Sequence, residues 1–144
     1  MPAIRALLVD DHRVFGDAIA RLLSDAPDVE VVGQATSGPE AVALVRRLQP
    51  SVVLMDLGMP GMDGVEATWT LRRQFPSIPI LVLTMFEQEA YVREAFRAGA
   101  SGYLVKTATD GELLHAVRAV HAGDVVAPAQ KRPAALPAPG TGPK

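Results

Sequence analysis

Five side chains in this sequence could do chemistry together. Asp10 and Asp11 stand in "LLVDDH", Asp56 ends the apolar run of "VVLMDLGMPGMDG", Thr84 closes "ILVLT" and Lys106 closes "GYLVK". Each follows a short run of Val, Ile and Leu, so each would sit at the C-terminal tip of a strand. Three carboxylates brought together repel one another strongly unless something positive joins them. A hard divalent cation meets that need, because Mg²⁺ prefers oxygen ligands in octahedral geometry and keeps several waters. Lys106 adds a point charge and Thr84 a hydroxyl, so the set suits a small, highly anionic group, with phosphoryl the best fit. A carboxylate such as Asp56 can itself attack phosphorus to form an aspartyl phosphate, with positioning and charge neutralisation doing most of the catalytic work. Singly, each residue has a plainer reading: Asp11 as the cap of the first helix, Thr84 as the cap of the fourth, Lys106 as a loop lysine. Their joint placement at four strand ends is what argues for a site.

The elements that must position them alternate along the chain. Strands are expected at Ile4–Val9, Val29–Gly33, Val52–Met55, Ile78–Leu83 and Gly102–Val105. These runs are continuously apolar, which suits a mostly parallel sheet covered on both faces. Helical spacing links Phe15, Ala18, Ile19 and Leu22, and again Ala41, Leu44, Val45 and Leu48; further helices are expected at Val65–Gln74, Gln88–Ala98 and Glu112–His121. Pro27, Pro50 and Pro76 follow helices, and Gly99 and Gly123 are placed as C-terminal caps. Pro60-Gly61 suits a tight bend, and Asp63 the cap of the third helix. The pattern predicts a doubly wound (βα)5 flavodoxin-like α/β sandwich with right-handed crossovers and a five-stranded parallel sheet in the order 2-1-3-4-5. In that order the first and third strands are neighbours, so Asp10, Asp11 and Asp56 converge outside their carboxyl ends.

Composition narrows the function classes. The 144 residues fit one domain, and 49% hydrophobic content gives it a core to bury. With no cysteine there is no disulfide framework, thiolate nucleophile or thiolate metal site. A net charge of -2 supplies no general attraction to nucleic acid, so no direct nucleic-acid binding is expected. The opening "MPAIRALLVDDH" lacks the apolar length of a secretion signal and no later run is long enough to span a bilayer, so the reading is a cytoplasmic protein with no membrane partner. After Gly123 the chain turns to Pro, Ala and Gly, and residues 128–144 read as a flexible linker or tail beside a domain of residues 1–127.

On "LLVDDH", "VVLMDLGMPGMDG", "ILVLTMF" and "GYLVK", in that order, residues 1–127 resemble the receiver domain of bacterial two-component response regulators. The resemblance implies that Asp56 accepts a phosphoryl group from the phosphohistidine of a sensor histidine kinase. It implies that Asp10, Asp11, Asp56 and the backbone carbonyl of Gly58 hold Mg²⁺, that Thr84 and Lys106 bind the phosphoryl oxygens, and that Tyr103 is an aromatic switch following Thr84. Gly58 and Phe86 occupy the positions that tune phosphoryl lifetime in the family. "DDH", "LTMF" and "AGASGYLVK" look most like the NarL/FixJ subfamily, whose regulators carry a LuxR-type helix-turn-helix output domain. The tail fits either a receiver fragment ending in its interdomain linker or a stand-alone receiver.

Homodimerisation on phosphorylation is a common family outcome, and Glu89, Arg93, Arg97 and Arg118 are expected on the face made by the fourth helix, fifth strand and fifth helix. Trp69 is expected to pack in the core. His12, His115 and His121 share no ligand spacing, and His12 is placed on the surface near the pocket rim. Competing readings are a Mg²⁺-dependent phosphohydrolase, disfavoured because Gly58 offers no side chain to activate water; a flavodoxin-like cofactor binder, disfavoured because the loop after the first strand is acidic; and a receiver that is never phosphorylated, disfavoured by the intact set of Asp10, Asp11, Asp56, Thr84 and Lys106.

Overall fold

The computed structural model describes residues 3–59 and 63–128. The Pro60-Gly61 bend and all but the first residue of the expected tail lie outside them. Strands β1 (Ile4–Val9), β2 (Val29–Ala35), β3 (Val52–Met55), β4 (Ile80–Thr84) and β5 (Gly102–Val105) alternate with helices α1 (Arg13–Ser24), α2 (Gly38–Leu48), α3 (Gly64–Gln74), α4 (Glu89–Arg97) and α5 (Asp110–His121). All strand pairs are parallel and the order is β2-β1-β3-β4-β5, as the sequence predicts.

Alternation along the strands splits the core into two layers. Ala6 and Leu8 of β1 face one way with Leu54 and Leu83, under Leu23 of α1 and Leu113, Val117 and Val120 of α5. Leu7 and Val9 face the other way with Val53 and Met55, under Val45 of α2 and Leu71 of α3. A third cluster joins Val82 and Tyr103 of the sheet to Val92 and Ala95 of α4. Both faces are therefore covered, which is why the strands read as unbroken apolar runs rather than alternating ones.

Local chemistry sets the element ends. Ser37, Asp63 and Thr109 each accept a backbone N–H three residues on, at the starts of α2, α3 and α5. Gly99 and Gly123 take φ values of +111° and +100° just past α4 and α5, a left-handed conformation that suits glycine. β4 begins two residues later than expected, because Pro79 has no N–H to donate to a ladder; its carbonyl accepts from Val53 instead, at 3.0 Å. Helix α5 begins two residues earlier, at Asp110, where Thr109 and Glu112 form a reciprocal capping box.

Two placements differ from expectation. Trp69 is 46% exposed, because α3 turns Ala67, Thr68 and Leu71 inward and leaves position 69 on the solvent side. Arg118 does not share a face with the charges of α4: it reaches Asp28, just before β2, through two hydrogen bonds of 2.9 Å. Glu89–Arg93 and Glu94–Arg97 form local pairs along α4.

Beyond α5 the chain returns to the sheet. Val126 makes a parallel bridge with Gly102, accepting from the Tyr103 N–H at 2.9 Å and donating to the Ser101 carbonyl at 3.1 Å. The otherwise open edge of β5 is thus partly covered.

Candidate functional site

The carboxyl ends of β1, β3 and β5 bring four predicted residues together. Asp10 and Asp11 follow β1, Asp56 follows β3, and Lys106 follows β5. Asp56 is held by backbone on both sides: its N–H donates to the Val9 carbonyl at 2.9 Å, while the Gly58 N–H donates to its Oδ1 at 3.4 Å. The Lys106 ammonium lies 2.7 Å from Asp10 Oδ2 and 3.7 Å from Asp56 Oδ2, and its side chain is only 5% exposed. In so dry a place one cation attracts both carboxylates strongly, yet it leaves the third unmatched. Asp11 Oδ1 is buried with no hydrogen-bond partner.

The helix that follows β1 shapes the acidic end. His12 is the N-cap residue of α1, and its backbone N–H donates to Asp10 Oδ1 at 2.7 Å. Its ring is largely exposed at the rim, with Nδ1 3.3 Å from Asp10 and 3.4 Å from Asp11. Asp11 is therefore not the helix cap that the plainer reading made it. Asp10, Asp11, His12 and Asp56 each offer one ligand atom, and these atoms lie within 4.8 Å of one another. The buried Asp11 Oδ1, which accepts no hydrogen bond and has only the His12 ring nearby, and the preponderance of hard oxygen donors make this a set able to hold a metal ion.

The other predicted residues form an adjoining group. Thr84 ends β4, 1% exposed, and is not the cap of α4, which is Gln88. Its hydroxyl oxygen accepts from the Phe86 N–H at 3.4 Å. Phe86 stands over Gly58, where an added Cβ would lie 3.1 Å from the ring, and it stacks on Tyr91 with centroids 4.5 Å apart. Tyr103 is wholly buried and donates its phenol O–H to the Phe86 carbonyl at 2.7 Å. Burial first, then the nearby Tyr91 and Asp56, push its pKa well above the ordinary tyrosine range, so it stays a neutral donor. The ring expected to enter after a movement of Thr84 already lies inside the β5–α4 layer.

Two contributors are not among the site residues that the sequence singles out. Gly64, the first residue of α3, approaches Asp56 so closely that a Cβ there would lie 2.1 Å from the Asp56 carbonyl oxygen; its N–H donates to the Leu57 carbonyl. The signal was the glycine directly after a capping aspartate, a position where backbone approach rather than φ demands it. Phe15 of α1, read only as a core residue, faces the Lys106 ammonium with its ring centroid 4.3 Å away.

A doubly wound parallel sheet thus carries three clustered aspartates and a buried lysine at its carboxyl edge. The family pattern described as "Response regulator receiver domain" matches residues 6–118. The chain is 45% identical over 120 residues to the response regulator GacA of Pseudomonas protegens, an alignment covering 83% of this chain and 56% of that one. It is 44% identical over 121 residues to the transcriptional regulatory protein LiaR of Bacillus subtilis, covering 84% and 57%. It thus spans little more than half the length of these curated relatives. Among solved structures, a LuxR-family two-component response regulator from an Aurantimonas species matches with a TM-score of 0.83 at 39% identity, over 86% of this chain and 89% of that one. The signal receiver domain of the response regulator NarL from Mycobacterium tuberculosis matches with a TM-score of 0.82 at 33% identity, over 85% and 99%. The chain belongs to the response regulator receiver domain family, and these neighbours agree with a NarL/FixJ-like subfamily. No helix among the described residues is long and apolar enough to cross a membrane.

Proposed function

We propose that residues 1–127 form a receiver switched by phosphorylation of Asp56, with a sensor histidine kinase as donor and residues 128–144 as the link to what it controls. The observation that carries this reading is the convergence of Asp10, Asp56 and Lys106 in a dry site with Asp11 beside them, one of whose buried oxygens accepts no hydrogen bond. An Asp56 carboxylate oxygen attacks phosphorus, the P–N bond of the phosphohistidine breaks, and its electron pair returns to the imidazole, which takes a proton.

Mg²⁺, held by Asp10, Asp11, Asp56 and the Gly58 carbonyl, would neutralise charge on the transferring group. Lys106 would exchange part of its contact with Asp10 for a phosphoryl oxygen, and the Thr84 hydroxyl would donate to another. Gly58 places no acid or base beside the acyl phosphate, and the Phe86 ring stands over that glycine. Both features support slow hydrolysis, as a switch needs, rather than enzymatic turnover.

The switching element is the Thr84–Phe86–Tyr103 group. Because Tyr103 already donates to the Phe86 carbonyl, phosphorylation would act by stabilising this inward packing over an alternative, a population shift of two arrangements. Its readout would be a surface that governs homodimerisation or an output domain. Relatives named as transcriptional regulators, of which this chain covers little more than half, support a helix-turn-helix output. Action is read as cytoplasmic, with no direct nucleic-acid contact by this chain.

Incubation with acetyl phosphate tests the chemistry. Borohydride reduction should trap an acyl phosphate at Asp56 when Mg²⁺ is present and leave it unmodified in EDTA. Equal trapping in EDTA, or trapping at Asp10 or Asp11, would contradict the roles assigned to the three aspartates.

A further inference from the structure

The Lys106 ammonium has a third neighbour besides its two carboxylates. The ring of Phe15, in the first turn of α1, presents its face with the centroid 4.3 Å from Nζ. An ammonium is drawn to the negative face of an aromatic ring, and the attraction grows where water is excluded. Water is nearly excluded here, since the lysine side chain is 5% exposed. Phe15 also lines a small cavity of about 20 Å³ together with Asp10, Asp56, Gly16 and Leu83, beside the acidic cluster.

We propose that Phe15 is a positioning residue: its ring face fixes the Lys106 ammonium between Asp10 and Asp56, where the lysine can meet an incoming phosphoryl oxygen. The proposal rests on the reading of Asp56 as phosphoacceptor. Lysine needs such a support because its four-carbon stem is flexible and its ammonium is a point charge without a preferred plane. Asp10 holds it tightly at 2.7 Å and Asp56 only loosely at 3.7 Å. An aliphatic side chain at position 15 would fill much the same space but offer no attraction to the cation, and a cavity with room for about one water would lie next to it. The strand-to-helix junction that supplies Asp10 and Asp11 therefore also supplies the surface that holds the opposing charge.

The test separates attraction from mere packing with Phe15→Leu, which keeps an apolar side chain, and Phe15→Tyr, which keeps the ring. In proton NMR spectra of the full chain, the Lys106 ε-methylene protons should be shifted upfield by the ring in wild type and Phe15→Tyr, and lie at their ordinary position in Phe15→Leu. In acetyl phosphate kinetics with saturating Mg²⁺, Phe15→Leu should lower the maximal phosphorylation rate about tenfold, the range expected of a desolvated cation on an aromatic face. Half-saturation by acetyl phosphate should be unchanged, and Phe15→Tyr should restore the rate to within about twofold. Equal rates in the two variants, or an unshifted Lys106 in wild type, would overturn the proposal. If wild type takes up no phosphoryl group, the phosphoacceptor reading falls, while the NMR comparison still decides whether Phe15 holds Lys106.

Discussion

The molecule pairs aspartate with a cation at both ends of its sheet, and the two pairings are built differently. At the amino end, Arg118 of α5 meets Asp28 through two hydrogen bonds of 2.9 Å, with side chains 47% and 37% exposed. At the carboxyl end, Lys106 meets Asp10 at 2.7 Å and Asp56 at 3.7 Å, with all three side chains at most 9% exposed. By geometry alone the arginine pair is the better made, a two-pronged match of guanidinium to carboxylate. It is balanced, wet and therefore worth little. The lysine contact is unbalanced, one lysine against three carboxylates with an oxygen of Asp11 that accepts no hydrogen bond, in a place where charge is costly. A fold has no structural need for that imbalance, so the carboxyl end is where function is sought.

The largest effect should come from Lys106→Met, which leaves Asp10 and Asp56 facing each other without a cation. Urea unfolding in EDTA should show a loss of roughly 3 kcal/mol, and Mg²⁺ should stabilise this variant more than it does wild type. A variant as stable as wild type in EDTA would mean that the lysine contact is as dispensable as a surface pair. Gly64→Ala comes next: the new Cβ would collide with the Asp56 backbone, so the same measurement should register a loss of roughly 2–3 kcal/mol. An unaffected midpoint would show that the α3 start can retreat from the site.

Tyr103→Phe removes one hydrogen bond and leaves the Phe86 carbonyl without its donor, which should cost about 1 kcal/mol. No change in the unfolding midpoint would weaken the link drawn from Tyr103 to the site loop. The smallest effect belongs to Asp28→Asn. Hydrogen bonding to Arg118 holds the Asp28 carboxyl below its usual range, so its contribution is fully present above about pH 4 and is lost as the pH falls through the lowered folded value. Denaturation curves of wild type and Asp28→Asn should therefore differ slightly at neutral pH and converge in acid. A difference that grows in acid would reverse the sign of this argument.

Much of this was legible in the sequence, for physical reasons. Strands buried on both faces must be continuously apolar, so the residues that interrupt those runs mark the carboxyl edge, and Asp10, Asp56, Thr84 and Lys106 were found that way. Helix phase was less legible. The sequence places Trp69 in the core, but its neighbours Thr68 and Leu71 set the inward face of α3. The capping pair Thr109 and Glu112 starts α5 at Asp110, two residues before the start that the apolar spacing predicts. Arg118 turns to Asp28 rather than to the face of α4, a pairing that a helix sequence alone does not encode. Least legible were contacts between distant segments: Phe15 with Lys106, Gly58 with Phe86, and Tyr103 with Val126. These depend on how one strand end sits beside another, which no local pattern encodes.

The central claim is that Asp56 alone among the clustered acids becomes covalently modified. Intact-mass analysis of wild type and Asp56→Asn after incubation with acetyl phosphate and Mg²⁺ tests it most directly. The account predicts a gain of one phosphoryl group in wild type and none in the variant; equal gains in both, or none in wild type, would contradict it.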